Sequence, residues 1–251
     1  MKRPVLAANW KMNHGPSDAR AFLRTFLDYY PRGRERDRTV MFFPPALTLT
    51  TVVEMLRDRT DILVGVQNIY YEDKGAFTGE SSAPIARDAG ARLVLVGHSE
   101  RRHVFGETDE DTAKKCAAAV RAGLTPMLCV GERLEERDRG ETEEVVLRQL
   151  RAGLASLEVD KVATSLVAYE PVWAIGTGKT ATPDDAAAVH KVIRTALREL
   201  AGERGIAVPI LYGGSVNRSN APALLKAQNV DGLLVGGASL DAESWASIVR
   251  S

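Results

Sequence analysis

Ser165-Leu166-Val167-Ala168-Tyr169-Glu170-Pro171-Val172-Trp173-Ala174-Ile175-Gly176-Thr177-Gly178 is an apolar run that closes on one carboxylate, a proline and a glycine-rich loop. Ser165–Tyr169 reads as a strand buried on both faces. Pro171 has no N–H to extend a ladder, so the chain must turn just as Glu170 leaves the sheet. Pro171-Val172-Trp173 is stiff and bulky, whereas Gly176 and Gly178 permit backbone angles that other residues avoid. That pattern predicts a base on a rigid edge with a lid, Ile175–Gly178, that closes as a unit. For a single glutamate taken alone, a strand-to-helix connection with an incidental carboxylate is the better reading, and only the rest of the chain overturns it. An amphipathic stretch, Asp184–Ala201, follows and completes a strand–loop–helix unit.

The same unit recurs along the chain. Val5–Asn9, Thr39–Phe43, Ile62–Gln67, Leu93–Gly97, Thr125–Val130, Ser165–Tyr169, Pro209–Tyr212 and Gly232–Val235 are short apolar runs. Helical patterns lie between them at Asp18–Tyr30, Leu47–Arg57, Asp109–Ala122, Glu141–Leu157 and Asp184–Ala201, with shorter third and seventh connections. Alternation of this kind predicts parallel strands with crossover helices. Eight units in 251 residues match a closed (β/α)8 barrel, typically about 250 residues long. No Ser/Gly/Pro-rich linker divides the chain, so residues 1–251 read as one catalytic domain. An open doubly wound sheet is the alternative, but no Gly-x-Gly-x-x-Gly follows the first strand.

Composition narrows the partners. Lys plus Arg and Asp plus Glu both number 33, so no chain-wide field favours nucleic acid or an anionic membrane, and a small-molecule ligand is expected. Cys116 and Cys129 have no disulfide or zinc spacing and read as buried free thiols. The apolar run at Val5–Ala8 is too short for a signal peptide and no later run approaches a membrane span. A cytoplasmic location is expected.

In a barrel the carboxyl ends of the strands build the reactive face. Asn9-Trp10-Lys11 leaves strand one, Gly97-His98-Ser99-Glu100 strand four, Glu170 strand six, Tyr212-Gly213-Gly214-Ser215 strand seven and Gly236-Gly237 strand eight. One rim thus collects a cation, an amide, an imidazole, a carboxylate and two Gly-Gly turns. The set fits proton transfer beside the carbonyl of a small phosphate ester, with Glu170 as base and His98 as electrophile. Lys11 and Asn9 stabilise developing negative charge, and glycine amides with the start of a short helix at Gly237-Ala238-Ser239 hold the phosphate. This chemistry needs no cofactor and no metal.

Asn9-Trp10-Lys11-Met12-Asn13, Gly97–Arg102, Tyr169–Gly178, Tyr212–Val216 and Val235–Leu240, in that order and spacing, resemble the triosephosphate isomerase family from near residue 5 to near residue 250. The resemblance implies cofactor-independent interconversion of dihydroxyacetone phosphate and D-glyceraldehyde 3-phosphate through an enediolate, in glycolysis and gluconeogenesis. It makes Glu170 the proton-shuttling base, His98 the imidazole that polarises the carbonyl, and Lys11 the active-site cation beside Asn9. It gives Gly176, Ser215, Gly236 and Gly237 to the phosphate, pairs Glu100 with Lys11, and has Ser99 hold Glu170 while the lid is open. Gln67-Asn68 with Gly75–Glu80 is similar to the family's third loop, which implies a homodimer with Thr78 inserted near the partner's Asn9 and Lys11. Without the resemblance that stretch is equally a solvated polar loop. Ser81 stands where the family is usually aliphatic.

Other residues are given structural readings. His14, His103 and His190 lie away from strand ends and read as surface or capping histidines. Gly178-Lys179-Thr180 resembles the tail of a nucleotide-binding loop, but Trp173 occupies the position that pattern reserves for glycine. The charge-dense segment Glu132–Glu144 reads as a solvated loop and helix start. Cys129 reads as an inert core thiol, Trp10 and Trp245 as packing residues, and Trp173 as part of the lid.

Overall fold

Parallel pairing runs unbroken from β1 (Val5–Asn9) through β2 (Thr39–Phe43), β3 (Ile62–Val66), β4 (Leu93–Val96), β5 (Thr125–Val130), β6 (Leu166–Tyr169), β7 (Ile210–Tyr212) and β8 (Gly232–Val235). β1 closes the ring by pairing Val5 with Thr39 of β2 on one side and Gly232 of β8 on the other. The computed structural model describes residues 1–32, 37–175 and 181–251. Within these, the expected closed (β/α)8 barrel forms, and each strand lies within one residue of its predicted bounds.

The two-residue period of a strand separates two cores. Val5, Ala7, Met41, Phe43, Leu93, Leu95, Met127, Cys129, Leu166, Ala168, Leu211 and Leu234 fill the barrel. Their neighbours, such as Leu6, Ala8, Phe42, Val96, Leu128, Val130, Val167 and Tyr169, join the outer core against the helices. Both faces are therefore dry, which is why the strands read as continuous apolar runs. One step beyond the last inner hydrophobic layer, the inward series carries Asn9, Glu170, Gly213 and Gly236, all of which line the cavity at the strands' carboxyl ends.

The long predicted helices are observed as α1 (Pro16–Tyr29), α2 (Leu49–Met55), α5 (Asp109–Arg121), α7 (Thr142–Leu154) and α9 (Pro183–Ala201), with short α3 (Ala83–Asp88), α4 (Ser99–His103), α6 (Leu134–Asp138), α8 (Val159–Val162), α10 (Ala221–Lys226) and α11 (Ala242–Val249). The second pattern begins as a 3-10 turn at Ala46–Thr48 before α2. α9 starts where its sequence says it should. Thr182 accepts from the Asp185 N–H, Asp185 accepts from the Thr182 N–H, and Pro183 occupies the first turn, where its missing N–H costs nothing. α3 also forms despite Ser81, whose carbonyl accepts from the Tyr70 N–H at 2.8 Å, while Ser82 caps the helix.

Two sequence readings are corrected by packing. His190 is fully buried, because Ala186, Val189, His190, Ile193 and Leu197 form one face of α9 at helical spacing. Its Nδ1 meets the Asn229 carbonyl at 3.1 Å, and its ring lies edge-on to Tyr169. Glu132 is likewise buried rather than solvated. It continues the outward series Leu128–Val130 of β5 and ends beneath Tyr169 and Trp173. The Tyr169 hydroxyl lies 3.1 Å from both of its oxygens, and Trp173 Nε1–H donates to Oε1 at 2.8 Å.

Candidate active site

The cavity at the carboxyl ends of the strands has a volume of about 360 Å³ and is lined by Asn9, Lys11, His98, Glu170, Ser215, Gly236 and Gly237 among others. Seven of the residues predicted from sequence thus meet at one place. Gly176 lies outside the described residues, as do Thr177, Gly178, Lys179 and Thr180.

β6 delivers Glu170 as the next inward position after Leu166 and Ala168. The Glu170 N–H still bonds the Val130 carbonyl at 2.8 Å, so the backbone is held by the sheet up to Glu170 itself. The residue is 2% exposed, and its side chain runs across Gly213. A Cβ at Gly213 would stand 2.9 Å from Glu170 Cγ, closer than real side chains approach, so glycine at the end of β7 makes room for the carboxylate. The sequence reading gave the Gly213-Gly214 turn to phosphate alone. Gly213's service to Glu170 was hidden because it depends on β6 and β7 being neighbours in the barrel.

The carboxylate has two partners. Glu170 Oε2 accepts from the Ser99 N–H at 2.9 Å, and Oε1 lies 2.9 Å from His98 Nε2. His98 caps α4, and its Nδ1 accepts the Glu100 N–H at 3.2 Å. A nitrogen that accepts carries no proton, so the ring is the Nε2–H tautomer, donating to Glu170. Burial opposes ionisation of Glu170, but the facing His98, its hydrogen bond, the Ser99 N–H and Lys11 outweigh it and hold the carboxyl below its ordinary range. Burial also disfavours a charged His98, yet Glu170 and then Glu100 draw its pKa upward against Lys11. That upward pull depends on Glu170 staying against the ring. The start of α4 beneath the imidazole works the other way.

β1 delivers Asn9 and Lys11. Asn9 Oδ1 accepts from the Lys11 N–H at 3.0 Å, which steadies Lys11 in the left-handed region at φ 51°. The Lys11 carbonyl accepts from Gln67 Nε2 at 2.8 Å, and its ammonium donates to Glu100 Oε1 at 2.6 Å. Glu100 therefore touches both the cation and, through its N–H, the imidazole. Across the cavity, Ser239 Oγ donates to the Val235 and Gly236 carbonyls and closes the 3-10 turn Gly237–Ser239.

Thr78 is not part of this cavity. It is exposed on the Gly75–Glu80 loop, next to Phe77, whose ring packs 4.6 Å from Tyr70. A second cleft of about 240 Å³, bordered by Lys11, Gln67, Asn68, Glu100 and Phe105, adjoins the first. Trp173, read as lid, sits in a 3-10 turn at Val172–Ala174, half-buried, with the Arg137 guanidinium 4.4 Å from its ring. Among the described residues no cluster of three or more His, Cys, Asp or Glu is arranged to hold a metal ion, and no helix is long and apolar enough to cross a membrane.

A barrel whose strand ends gather a buried carboxylate, an imidazole and an ammonium around one small cavity defines an acid–base enzyme of the (β/α)8 class. The triosephosphate isomerase family model matches residues 4–251. The chain is 48% identical over 250 residues to the triosephosphate isomerase of Moorella thermoacetica, covering 100% of this chain and 99% of the relative. It is 49% identical over 251 residues to that of Roseiflexus sp. strain RS-1, covering 100% and 98%. The crystal structure of triosephosphate isomerase from Bartonella henselae superposes with a TM-score of 0.88 at 38% identity, covering 99% of this chain and 98% of the other. The chain belongs to the triosephosphate isomerase family.

Proposed function

We propose that Glu170, His98, Lys11 and Asn9 carry the family's reaction in this chain. Membership makes the protein an intramolecular isomerase that interconverts dihydroxyacetone phosphate and D-glyceraldehyde 3-phosphate. The observation that carries the residue roles is the buried pair Glu170–His98, in contact at 2.9 Å beside Lys11. An ionised carboxylate in a dry site is a competent base for a proton on the carbon next to the carbonyl. With substrate in the cavity, Glu170 leaves His98 and the Ser99 N–H, takes that proton and returns it to the neighbouring carbon. His98 Nε2–H then faces the substrate oxygens instead of Glu170, donating to whichever bears the developing charge, while Lys11 and Asn9 stabilise the enediolate.

Departure of Glu170 also removes the main influence that draws the His98 pKa upward, which favours a neutral ring during proton transfer. Ser215, Gly236 and Gly237 hold the phosphate, with Gly176 as a fourth contact. Glu100 holds Lys11, and Ser99 parks Glu170 between turnovers. The whole chain 1–251 acts as one domain. It works as a homodimer in which Thr78 of one copy enters the cleft beside Lys11 of the other. The reading includes a cytoplasmic location, in keeping with two unpaired cysteines.

The test is a coupled assay of triose phosphate interconversion in both directions, with chelator present and no cofactor added. Robust turnover is expected. Binding without turnover would reduce the protein to a sugar-phosphate sensor.

A further inference from the structure

The backbone of Gly97, which joins β4 to His98, is gripped on both sides by charged side chains. Its N–H donates to Glu107 Oε1 at 2.9 Å, and its carbonyl accepts from Arg102 Nε at 2.7 Å. Both side chains are nearly dry, Glu107 at 2% and Arg102 at 7% exposure. Gly97 lies in the left-handed region at φ 70°, and a Cβ there would come within 2.7 Å of Arg102 Nη2 and 2.9 Å of Thr112. The turn that aims His98 is therefore defined by the guanidinium that fills the space beside it.

Arg102 makes two further bonds. Nη2 donates to the Cys129 carbonyl in β5 at 3.2 Å, and Nη1 donates to Asp109 Oδ1 at 2.7 Å. One planar fork thus ties the ends of β4 and β5 to the start of α5, one residue before His98. Ordinary turns are satisfied by backbone or water. Taking a charge out of water is costly, and a buried ion pair is weak evidence of added stability. Its geometry here serves aim: fixing the Gly97 carbonyl fixes the peptide plane from which His98 departs, and with it the 2.9 Å approach of Nε2 to Glu170.

We propose that Arg102 is a positioning residue for His98, acting through the Gly97 carbonyl. This rests on the role given to His98 above. Arg102→Lys keeps the charge and much of the packing but cannot span Gly97, Cys129 and Asp109 together. In the full-length enzyme it is expected to lower kcat about 10- to 100-fold, the order that an ångström of misplacement produces, with KM changed less than about threefold.

The discriminating measurement is a double-mutant cycle with His98→Gln. If Arg102 works through His98, Arg102→Lys added to His98→Gln should lower kcat by less than about threefold further. Asp109→Asn, which leaves Arg102 in place but frees one corner of its fork, should give a smaller loss with the same non-additivity, and serves if the lysine variant does not fold. The 15N resonances of the His98 ring should move in either single variant. Equal losses in both backgrounds, or a folded Arg102→Lys enzyme with wild-type kcat, would overturn the assignment. A wild-type protein that turns over no triose phosphate would instead refute the underlying role of His98, a separate outcome.

Discussion

Glu170 and His98 are mutual partners: Oε1 and Nε2 stand 2.9 Å apart, and both side chains are more than nine-tenths buried. Each partner sets the other's protonation. The imidazole and its hydrogen bond help hold the carboxyl ionised against burial, and the carboxylate draws the imidazole's pKa upward. On the proposed roles, a base bonded to its own electrophile must leave it to reach the substrate. On that proposal the side chains part while the backbone stays fixed, and the sheet bond from the Glu170 N–H to the Val130 carbonyl supplies a fixed point.

Shortening the base by one methylene tests position against affinity. Glu170→Asp leaves an ionisable carboxylate but withdraws it by about an ångström, so kcat is expected to fall about 100-fold or more with KM changed only slightly. Steady-state kinetics in both directions measure this. Wild-type turnover would remove Glu170 as the base.

His98→Gln retains a donor but loses a group able to pass protons between oxygens. The expected loss is about 100- to 10,000-fold in kcat, with the thermal midpoint kept near wild type. Glu170 should also titrate at a higher pH in this variant, since His98 is the foremost influence holding its pKa down. A 13C titration of the Glu170 carboxyl reads the shift. An unchanged titration would mean that the pairing in the resting site contributes little.

Thr78→Arg tests assembly and activity together. A cation forced into an enclosed partner cleft costs roughly several kcal/mol, so sedimentation should show monomer and the specific activity should collapse. Two apolar side chains that border the cleft support the assembly, Met12 at 95% and Phe105 at 66% exposure. A dimeric, active variant would sink the interlocking-loop reading.

The barrel was legible in the sequence because strands buried on both faces leave uninterrupted apolar runs, and because Pro171, the Gly-Gly turns and the charged residues all fall just past the ends of those runs. The site was legible for the same reason: strand ends are where a barrel must present its chemistry. What escaped depended on neighbours distant in the chain. Glu132 sits in a charge-dense stretch, yet the outward alternation of β5 carries it under Tyr169 and Trp173, and only the pairing of β5 with β6 brings those donors to it. Arg102 and Glu107 similarly look like surface charges until Gly97 leaves β4 in a left-handed turn between them. His190 was legible in principle, because its spacing from Ala186, Val189 and Ile193 already puts it on the buried face of α9.

His190 also gives the fold a calculable acid sensitivity. Burial pushes its pKa from the usual 6.5 down to about 4, with the Asn229 carbonyl opposing that shift and Arg194 adding to it. The unfolded chain takes up a proton below pH 6.5 that the folded chain refuses until about pH 4. The unfolded state therefore binds more protons across that window, and stability must fall as pH falls through it. The contribution is roughly 3 kcal/mol once pH reaches the lower end. His190→Gln keeps a donor for Asn229 without a titrating ring. It should cost stability at pH 8 yet flatten the slope of unfolding free energy between pH 6.5 and 4, as measured by urea titrations at fixed pH. Equal slopes in wild type and variant would show that His190 is protonated in the folded protein, contrary to its burial.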